Sequence, residues 1–140
     1  GCCLNEREHS HVTSFGYEII RDHVLTSILG KHEKEILYWA GKDLARKFPL
    51  YSMEEAISFF QEAGWGRLEL DKTSKDSAYY TLETYNLPQS GINRCHRLEA
   101  GFLAEQKQKI DGYETECYDE FVKKTGLVTF HIKWDLKSKR

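Results

Sequence analysis

Two cysteines and two carboxylates in the second half of the chain have side chains that could do chemistry. Cys95 and Cys117 carry thiols, and the residue pattern turns the carboxylates of Glu99 and Asp119 toward the interior. A buried carboxylate is costly unless it is paired or hydrogen-bonded. Glu99 and Asp119 are therefore candidates for a catalytic acid or a polar ligand contact. The alternative is structural, with Glu99 at the rim or paired to Arg97 or a backbone donor.

Cys95, Cys117 and a histidine could form a metal site if the helix over 94–110 covers the sheet, but too few ligands come together there. Tetrahedral zinc needs four nitrogen or sulfur ligands, and the strand register given below turns His131 away from Cys117. Both cysteines are interpreted as small core residues, because free cysteine is often buried. His96, beside a helix start, is interpreted as a surface or capping residue. We expect no metal and no cofactor.

Catalytic signature motifs are missing from the sequence. It contains no phosphate-binding loop, no dinucleotide-binding glycine motif, no zinc-protease motif and no serine-hydrolase elbow. The chain is therefore predicted not to be an enzyme. A small enzyme that uses Glu99, Asp119 and Cys117 remains the alternative.

The elements that must position these residues follow the order α-α-α-β-β-α-β-β. The patterns predict helices over 13–29, 32–47, 53–63 and 94–110, strands over 67–72 and 78–85, and a closing hairpin that turns near 124–126. Short hairpins imply an antiparallel sheet, with helices gathered on one face. The predicted fold class is α+β, with a four-stranded antiparallel sheet and about four helices.

The closing hairpin has a preferred strand register. Its last strand alternates an apolar face with a polar one. The register that matches apolar residues and opposes unlike charges pairs Val122 with Leu127, Phe121 with Val128, Cys117 with Ile132 and Glu116 with Lys133. In this register Cys117 and Asp119 face inward, while Tyr118, Glu120 and His131 face outward.

The first helix carries apolar residues around most of its circumference. A surface helix would show a single apolar stripe, so this one must be buried on two sides. In so small a domain the second side is predicted to be a partner subunit. The residues predicted to form the homodimer interface are Phe15, Tyr17, Ile20, Val24 and Ile28.

Inward-facing aromatic residues in the second half of the chain have two interpretations. Most often such residues form a core, which suits an interaction subunit with a filled interior. Alternatively they line an apolar cavity for a small hydrophobic molecule. In that case the predicted ligand-binding residues are Glu99, Phe102, Cys117, Phe121, Phe130 and Trp134.

The composition suits one domain. The chain has 140 residues, 40% of them hydrophobic and 30% charged. We assign residues 1–11 to a flexible N-terminal segment, 12–136 to a single domain and 137–140 to a basic tail. A net charge of −2 argues against nucleic acid. No apolar run is long enough for a membrane span, and the cysteines form no disulfide framework. A cytoplasmic location is therefore expected.

Three segments near the C-terminus resemble a known domain. Residues 95–105 read CHRLEAGFLAE, residues 112–117 read GYETEC and residues 128–132 read VTFHI. This pattern resembles the closing helix and hairpin of the 4-vinyl reductase domain. The same fold includes TRAPP vesicle-tethering subunits and haem-nitric-oxide-associated domains. The 4-vinyl reductase pattern often has a second cysteine entering the last strand, whereas this chain has Leu127, Val128 and Thr129 there.

A second resemblance is more specific. Residues 38–42 read YWAGK, residues 44–50 read LARKFPL and residues 62–66 read EAGWG. They resemble the YslB-type bacterial proteins. Together the two resemblances cover most of residues 13–136. They imply a dimer-forming α+β domain, which in some relatives has a hydrophobic pocket for acyl or other hydrocarbon-like ligands.

Overall fold

A four-stranded antiparallel sheet forms one side of the molecule, as predicted. The computed structural model describes residues 14–85 and 94–139, so the segment 1–11 and residue 140 lie outside the described residues. The strands are β1 (Arg67–Thr73), β2 (Ser77–Glu83), β3 (Tyr113–Val122) and β4 (Leu127–Lys139). They lie side by side in the order β1-β2-β4-β3. The predicted α+β class is confirmed.

The predicted register of the closing hairpin is also confirmed. All four expected pairs between β3 and β4 are present, including Cys117 with Ile132 and Glu116 with Lys133. Cys117 is buried, whereas Tyr118 is exposed. This register turns Val128 and Phe130 into the core. In β2 the inward residues are Ala78, Tyr80 and Leu82, which settles the faces of this tyrosine-rich strand.

Three regular helices lie on the inner side of the sheet. They are α2 (Glu33–Lys47), α3 (Glu54–Glu62) and α4 (Arg97–Asp111). Helix α4 lies on the sheet, and α2 packs along its opposite side. The sequence predicts a single buried stripe on α4, but every residue from Glu99 to Gln106 is buried. Because α4 is enclosed from both sides, it is the central helix of the domain.

Two glycines set the distance between α2 and α4. Gly41 of α2 faces the backbone of Leu98, and Gly101 of α4 faces the backbone of Tyr38. A Cβ atom at either position would overlap a carbonyl oxygen of the opposite helix. The sequence predicts this close approach at Ala40 and Gly41. Gly41 makes it, whereas Ala40 is exposed to solvent.

The first helical segment, α1, is not the regular helix that the sequence predicts. It is α-helical over residues 14–18, π-helical over Ile19–Val24 and α-helical again over Leu25–Leu29. In the π turn the backbone N–H of Leu25 donates to the carbonyl of Ile20, five residues earlier. This wider turn lets the adjacent residues Arg21 and Asp22 both point inward, where both are buried. Such π turns are frequent at functional sites.

The core is filled by aromatic side chains. The rings of Phe59 and Phe102 stack with centroids 4.5 Å apart, and Trp65 meets Phe60 edge-on at 4.9 Å. Phe130 of β4 contacts Phe60 with centroids 6.3 Å apart. Rings in these arrangements stabilise a core beyond the area they bury. They join α3, α4 and the sheet into one packed unit.

Candidate functional site

A buried ion pair joins α1 to the start of α4. The Arg21 guanidinium donates to Glu99 Oε1 at 2.6 Å, and the two side chains are only 3% and 2% exposed. The same guanidinium donates to the Tyr17 hydroxyl at 2.6 Å and to the Cys95 carbonyl at 2.8 Å. Glu99 is therefore paired, although with Arg21 and not with the predicted Arg97. This pairing agrees with the structural interpretation of Glu99, and its role as a catalytic acid or ligand contact stays a prediction.

A second buried pair lies beside the first. Arg94 donates from Nε and Nη2 to the two carboxylate oxygens of Asp22, both at 2.8 Å. This bidentate geometry is the strong form of an arginine–carboxylate pair. The Arg94 guanidinium also lies over the Tyr17 ring, 5.4 Å from its centroid. The four charged residues Arg21, Asp22, Arg94 and Glu99 are called the buried ionic cluster below.

A third pair holds the exposed edge of β3. Arg97 donates to Asp119 Oδ1 at 2.8 Å and to the Cys117 carbonyl at 3.2 Å. The backbone N–H of Cys117 donates to the Tyr38 hydroxyl at 3.2 Å. An unpaired strand edge would invite pairing with other chains. Side chains of α2 and α4 satisfy this edge at Cys117, and Asp119 contributes by pairing with Arg97.

His96 lies in the interior, although the sequence suggests a surface or capping residue. It is 6% exposed, and its Nε2 atom makes no hydrogen bond to any residue that the structure describes. Burial, with the positive charges of Arg21 and Arg94, lowers the pKa of His96. Burial alone would raise the pKa of Glu99, but the charge and hydrogen bond of Arg21, together with the charge of His96 and a backbone hydrogen bond, lower that pKa.

These shifts predict a loss of stability in acid. Above the ordinary histidine pKa of 6.5, His96 is neutral in both the folded and the unfolded chain. As the pH falls below that value, the unfolded chain takes up a proton that the folded chain resists, so the free energy of unfolding decreases. Each such proton contributes at most about 1.4 kcal/mol per pH unit. Glu99 adds a second decrease below its ordinary value of 4.5.

Denaturant unfolding between pH 7 and pH 4 measures this dependence. His96→Gln should flatten the decrease between pH 6.5 and the lower pKa of the folded state. His32→Gln, at an exposed position on the surface, should leave the decrease unchanged. Equal pH profiles for the wild type and His96→Gln would contradict the assignment.

Neither described cysteine has the environment of a reactive thiol. Cys117 is buried, and burial, together with Asp119, raises its pKa well above the usual value. Burial also raises the pKa of Cys95. The thiolate is the nucleophilic form, so both environments disfavour it. Within residues 14–85 and 94–139, no group of three or more His, Cys, Asp or Glu side chains could hold a metal ion.

The outward side of α1 has the opposite character to its inward side. Arg21 and Asp22 point into the protein, while the exposed residues include large apolar ones. We call these the outer face of α1, which comprises Phe15, Ile19, Ile20, Val24 and Ile28. Phe15 is 61% exposed and Ile28 is 72% exposed. Four predicted interface residues lie on this face. Tyr17 does not, because it packs against the core and binds Arg21.

Comparison with known proteins assigns the family. A family model described as "Protein of unknown function (DUF2507)" matches residues 14–133. The chain belongs to the DUF2507 family. It is 41% identical to uncharacterized protein YslB of Bacillus subtilis over 137 residues, which cover 96% of this chain and 93% of that protein. The predicted resemblance to the YslB-type proteins is thereby confirmed.

Solved structures confirm the predicted fold for this DUF2507 chain. A vinyl-4-reductase family protein from Methanocaldococcus jannaschii matches with a TM-score of 0.61 at 16% identity, covering 96% of this chain and 99% of that one. A trafficking protein particle complex subunit 3 from Naegleria fowleri, covalently bound to palmitic acid, matches with a TM-score of 0.56 at 12% identity over the same shares. At these identities the likeness concerns the fold alone.

The structure places the predicted ligand-binding residues of the DUF2507 chain in different environments. Phe102 and Phe130 are fully buried in the aromatic core, and Phe121 is 42% exposed. Trp134 lies near the surface, where its indole N–H donates to the Lys75 carbonyl at 2.9 Å. These positions favour the interpretation of Phe102 and Phe130 as core residues.

The sequence interpretation missed Arg21, Asp22 and Arg94 as partners in the interior of the DUF2507 chain. One signal was present, since adjacent opposite charges interrupt the apolar run 19–25. Charges rarely enter a buried helix unless they are paired.

The described part of the chain also contains no helix long and apolar enough to cross a membrane.

Proposed function

We propose that this chain is a non-catalytic scaffold subunit that acts as a homodimer through the outer face of α1. The observation that carries the proposal is the inverted polarity of this helix. Its charged residues Arg21 and Asp22 are held inside, while its large apolar residues face outward. Contiguous exposed apolar residues mark interaction surfaces. Rotation of the helix to bury them would break both ion pairs of the buried ionic cluster.

The charge of this surface supports a second copy of the same chain as the partner. Within residues 14–29 the only Asp, Glu, Lys or Arg residues are Glu18, Arg21 and Asp22. The last two are buried, and Glu18 is partly buried. The exposed residues between the apolar ones are small or uncharged, apart from His23. Two copies would meet without the like-charge repulsion that disfavours self-association. Twofold dimers are also the commonest symmetric assembly.

A non-catalytic role is supported by the contacts of the groups that an enzyme would use. Glu99 and Asp119 are engaged by Arg21 and Arg97. The Cys117 thiol has a raised pKa in its buried position. An active site normally keeps its acid, base or nucleophile accessible to a substrate. The filled aromatic core likewise favours the interaction subunit over a cavity lined by Phe102 and Phe130.

We place this subunit in the cytoplasm. The described cysteines, Cys95 and Cys117, are both free thiols. Free thiols persist in a reducing compartment, whereas secreted domains use their cysteines in disulfides. The aromatic core already supplies the packing that a disulfide framework would otherwise have to replace.

Charged substitutions on the outer face of α1 test the dimer. Ile20→Asp and Val24→Asp should each weaken dimerisation at least about 100-fold, because each would bury an unpaired carboxylate at the interface. Size-exclusion chromatography with light scattering should then report a monomer with an unchanged circular dichroism spectrum. Ala40→Asp, at an exposed position on α2, is the matched control and should remain dimeric. A monomeric wild type at micromolar concentration would refute the homodimer.

A further inference from the structure

An apolar groove is lined by residues that do not belong to the buried ionic cluster. It runs between α3, the strands β1 and β2, and the end of α4, and its volume is about 340 Å³. Small-molecule sites typically begin at roughly this size. Its lining is mostly apolar and includes Met53, Ile57, Leu70, Ala78, Ile110 and Ile132. Leu70 and Tyr51 are also exposed at the rim.

Two polar groups in this groove have no partner among the residues that the structure describes. Tyr80 is only 6% exposed, yet its hydroxyl makes no hydrogen bond to any residue in the described part of the chain. Glu54, in the first turn of α3, makes no ion pair or hydrogen bond with any described residue. Burial, and then the negative charge of Glu54, raises the pKa of Tyr80. The Tyr80 hydroxyl is not fully buried, and Glu54 is exposed to solvent.

The cation at the groove is already engaged by the protein. Lys107 donates to Asp111 at 2.7 Å, and its ammonium lies over the Trp134 ring, 4.4 Å from the centroid. The charge of Lys107 is therefore balanced by Asp111. The remaining charge in the groove is the carboxylate of Glu54. The part of the groove near Glu54, which we call its polar end, is therefore negative.

We propose that this groove binds a small amphiphile that has an apolar body and a protonated amine head. The apolar body would lie against Ile57, Leu70 and Ile132. The amine would donate to the Glu54 carboxylate and to the Tyr80 hydroxyl, giving both unpartnered groups the partner they lack. An anionic head such as a carboxylate would face Glu54 and be repelled. This site is separate from α1, so it goes beyond the proposed dimer and does not depend on it.

Three probes with the same tail and different heads test the proposal. Octylamine, octanol and octanoate are titrated separately into the isotope-labelled wild-type chain, at concentrations where each remains monomeric. Amide chemical shifts locate the contact and give the dissociation constant. We expect octylamine to shift the amides of the groove residues, and octanoate to bind at least about tenfold more weakly, since a hydrogen-bonded charge contributes roughly this factor.

Variants at the polar end separate the head from the tail. Glu54→Gln should weaken octylamine binding about tenfold while leaving octanol binding nearly unchanged. Tyr80→Phe should weaken octylamine binding by a smaller factor. Glu62→Gln, on the exposed side of the same helix, is the matched control and should have no effect. Leu70→Trp, at a half-exposed rim position, should reduce the binding of all three probes by filling the groove.

Three results would overturn the proposal. In the first, octylamine leaves the groove amides unshifted at millimolar concentration. In the second, octanoate binds as tightly as octylamine, which would assign the interaction to the tail alone. In the third, the shifted amides lie along the outer face of α1. Because the Ile20→Asp variant keeps the groove intact, repeating the titration on it distinguishes failure of this site from failure of the dimer.

Discussion

Replacing Glu99 with Gln is expected to lower the free energy of unfolding by about 3–5 kcal/mol, the usual cost of removing one partner from a buried ion pair. The variant leaves the Arg21 guanidinium, 3% exposed, without its counter-charge. The remaining Tyr17 hydroxyl and Cys95 carbonyl contacts supply no negative charge. Urea or guanidinium unfolding at neutral pH measures the change.

Glu105→Gln is the matched control for this prediction. Glu105 lies on the same helix and its side chain is also buried, but its partner Arg46 is 49% exposed. Water solvates that arginine when the carboxylate is lost, so we expect a decrease of less than about 1 kcal/mol. Equal decreases for the two variants would contradict the assignment of Arg21 and Glu99 as a desolvated pair.

A double substitution separates the cost of an unpaired charge from the loss of packing. Arg21→Met combined with Glu99→Leu removes both charges and keeps apolar volume at both positions. Such replacements of a buried pair are often neutral or stabilising. We therefore expect the double variant to be more stable than Glu99→Gln alone. If it is less stable, the contacts of Arg21 with Tyr17 and Cys95 matter more than the charge.

Replacing Gly101 with Ala is expected to lower the free energy of unfolding by about 3 kcal/mol, at the upper end of the usual cost of overpacking. The new methyl group would overlap the carbonyl oxygen of Tyr38 in α2, and a backbone atom cannot rotate away. Alanine favours a helix over glycine by about 1 kcal/mol, so steric overlap must outweigh this gain. Thermal unfolding followed by circular dichroism measures the balance.

Gly16→Ala provides the opposite case for the same substitution. Gly16 is also helical, but a Cβ atom there would have no heavy atom within 4 Å. In the Ile20→Asp background, where we expect the outer face of α1 to be free, this change should stabilise the chain by about 0.5–1 kcal/mol. A stabilising Gly101→Ala would show that α2 and α4 do not approach as closely as described.

The closing hairpin was predictable because its information is local. Its polar and apolar residues alternate with the period of a strand, and only one register opposes Glu116 to Lys133 and Cys117 to Ile132. A turn of a few residues joins the two strands, so no distant contact is needed to fix the pairing. The same holds for Gly41, whose small size signals a close approach wherever its helix packs.

The buried ionic cluster could not be predicted in this way. Arg21 is 78 residues from Glu99, and Asp22 is 72 residues from Arg94. Helical periodicity also assumes a constant angle per residue, and the π turn Ile19–Val24 breaks it. Counting apolar residues around α1 predicted a helix that is buried on two sides. It could not show that the charged residues lie inside and that the apolar residues face outward.

Helix α4 contains buried polar residues whose contacts the sequence could not predict. The sequence places Gln106 on the same side of the helix as Leu98 and Phe102, whereas it does not predict the burial of Glu105. Gln106 is fully buried, where its amide donates to the Phe48 carbonyl at 2.8 Å and accepts from the Leu50 N–H at 3.1 Å. The helical position of Gln106 indicates its inward direction, but its hydrogen-bond partners lie in a distant segment and could not be predicted.

Intermolecular contacts measured in a mixed sample test whether the chain forms a homodimer through the outer face of α1. One copy carries labelled methyl groups and the other is unlabelled, so isotope-filtered nuclear Overhauser effects report only contacts between copies. If the outer face of α1 forms the interface, we expect such effects at the methyl groups of Ile20, Val24 and Ile28. We expect none at Ile36, an exposed apolar residue on α2. Intermolecular contacts at Ile36 with silent methyl groups on α1, or no intermolecular contacts, would contradict the proposed interface.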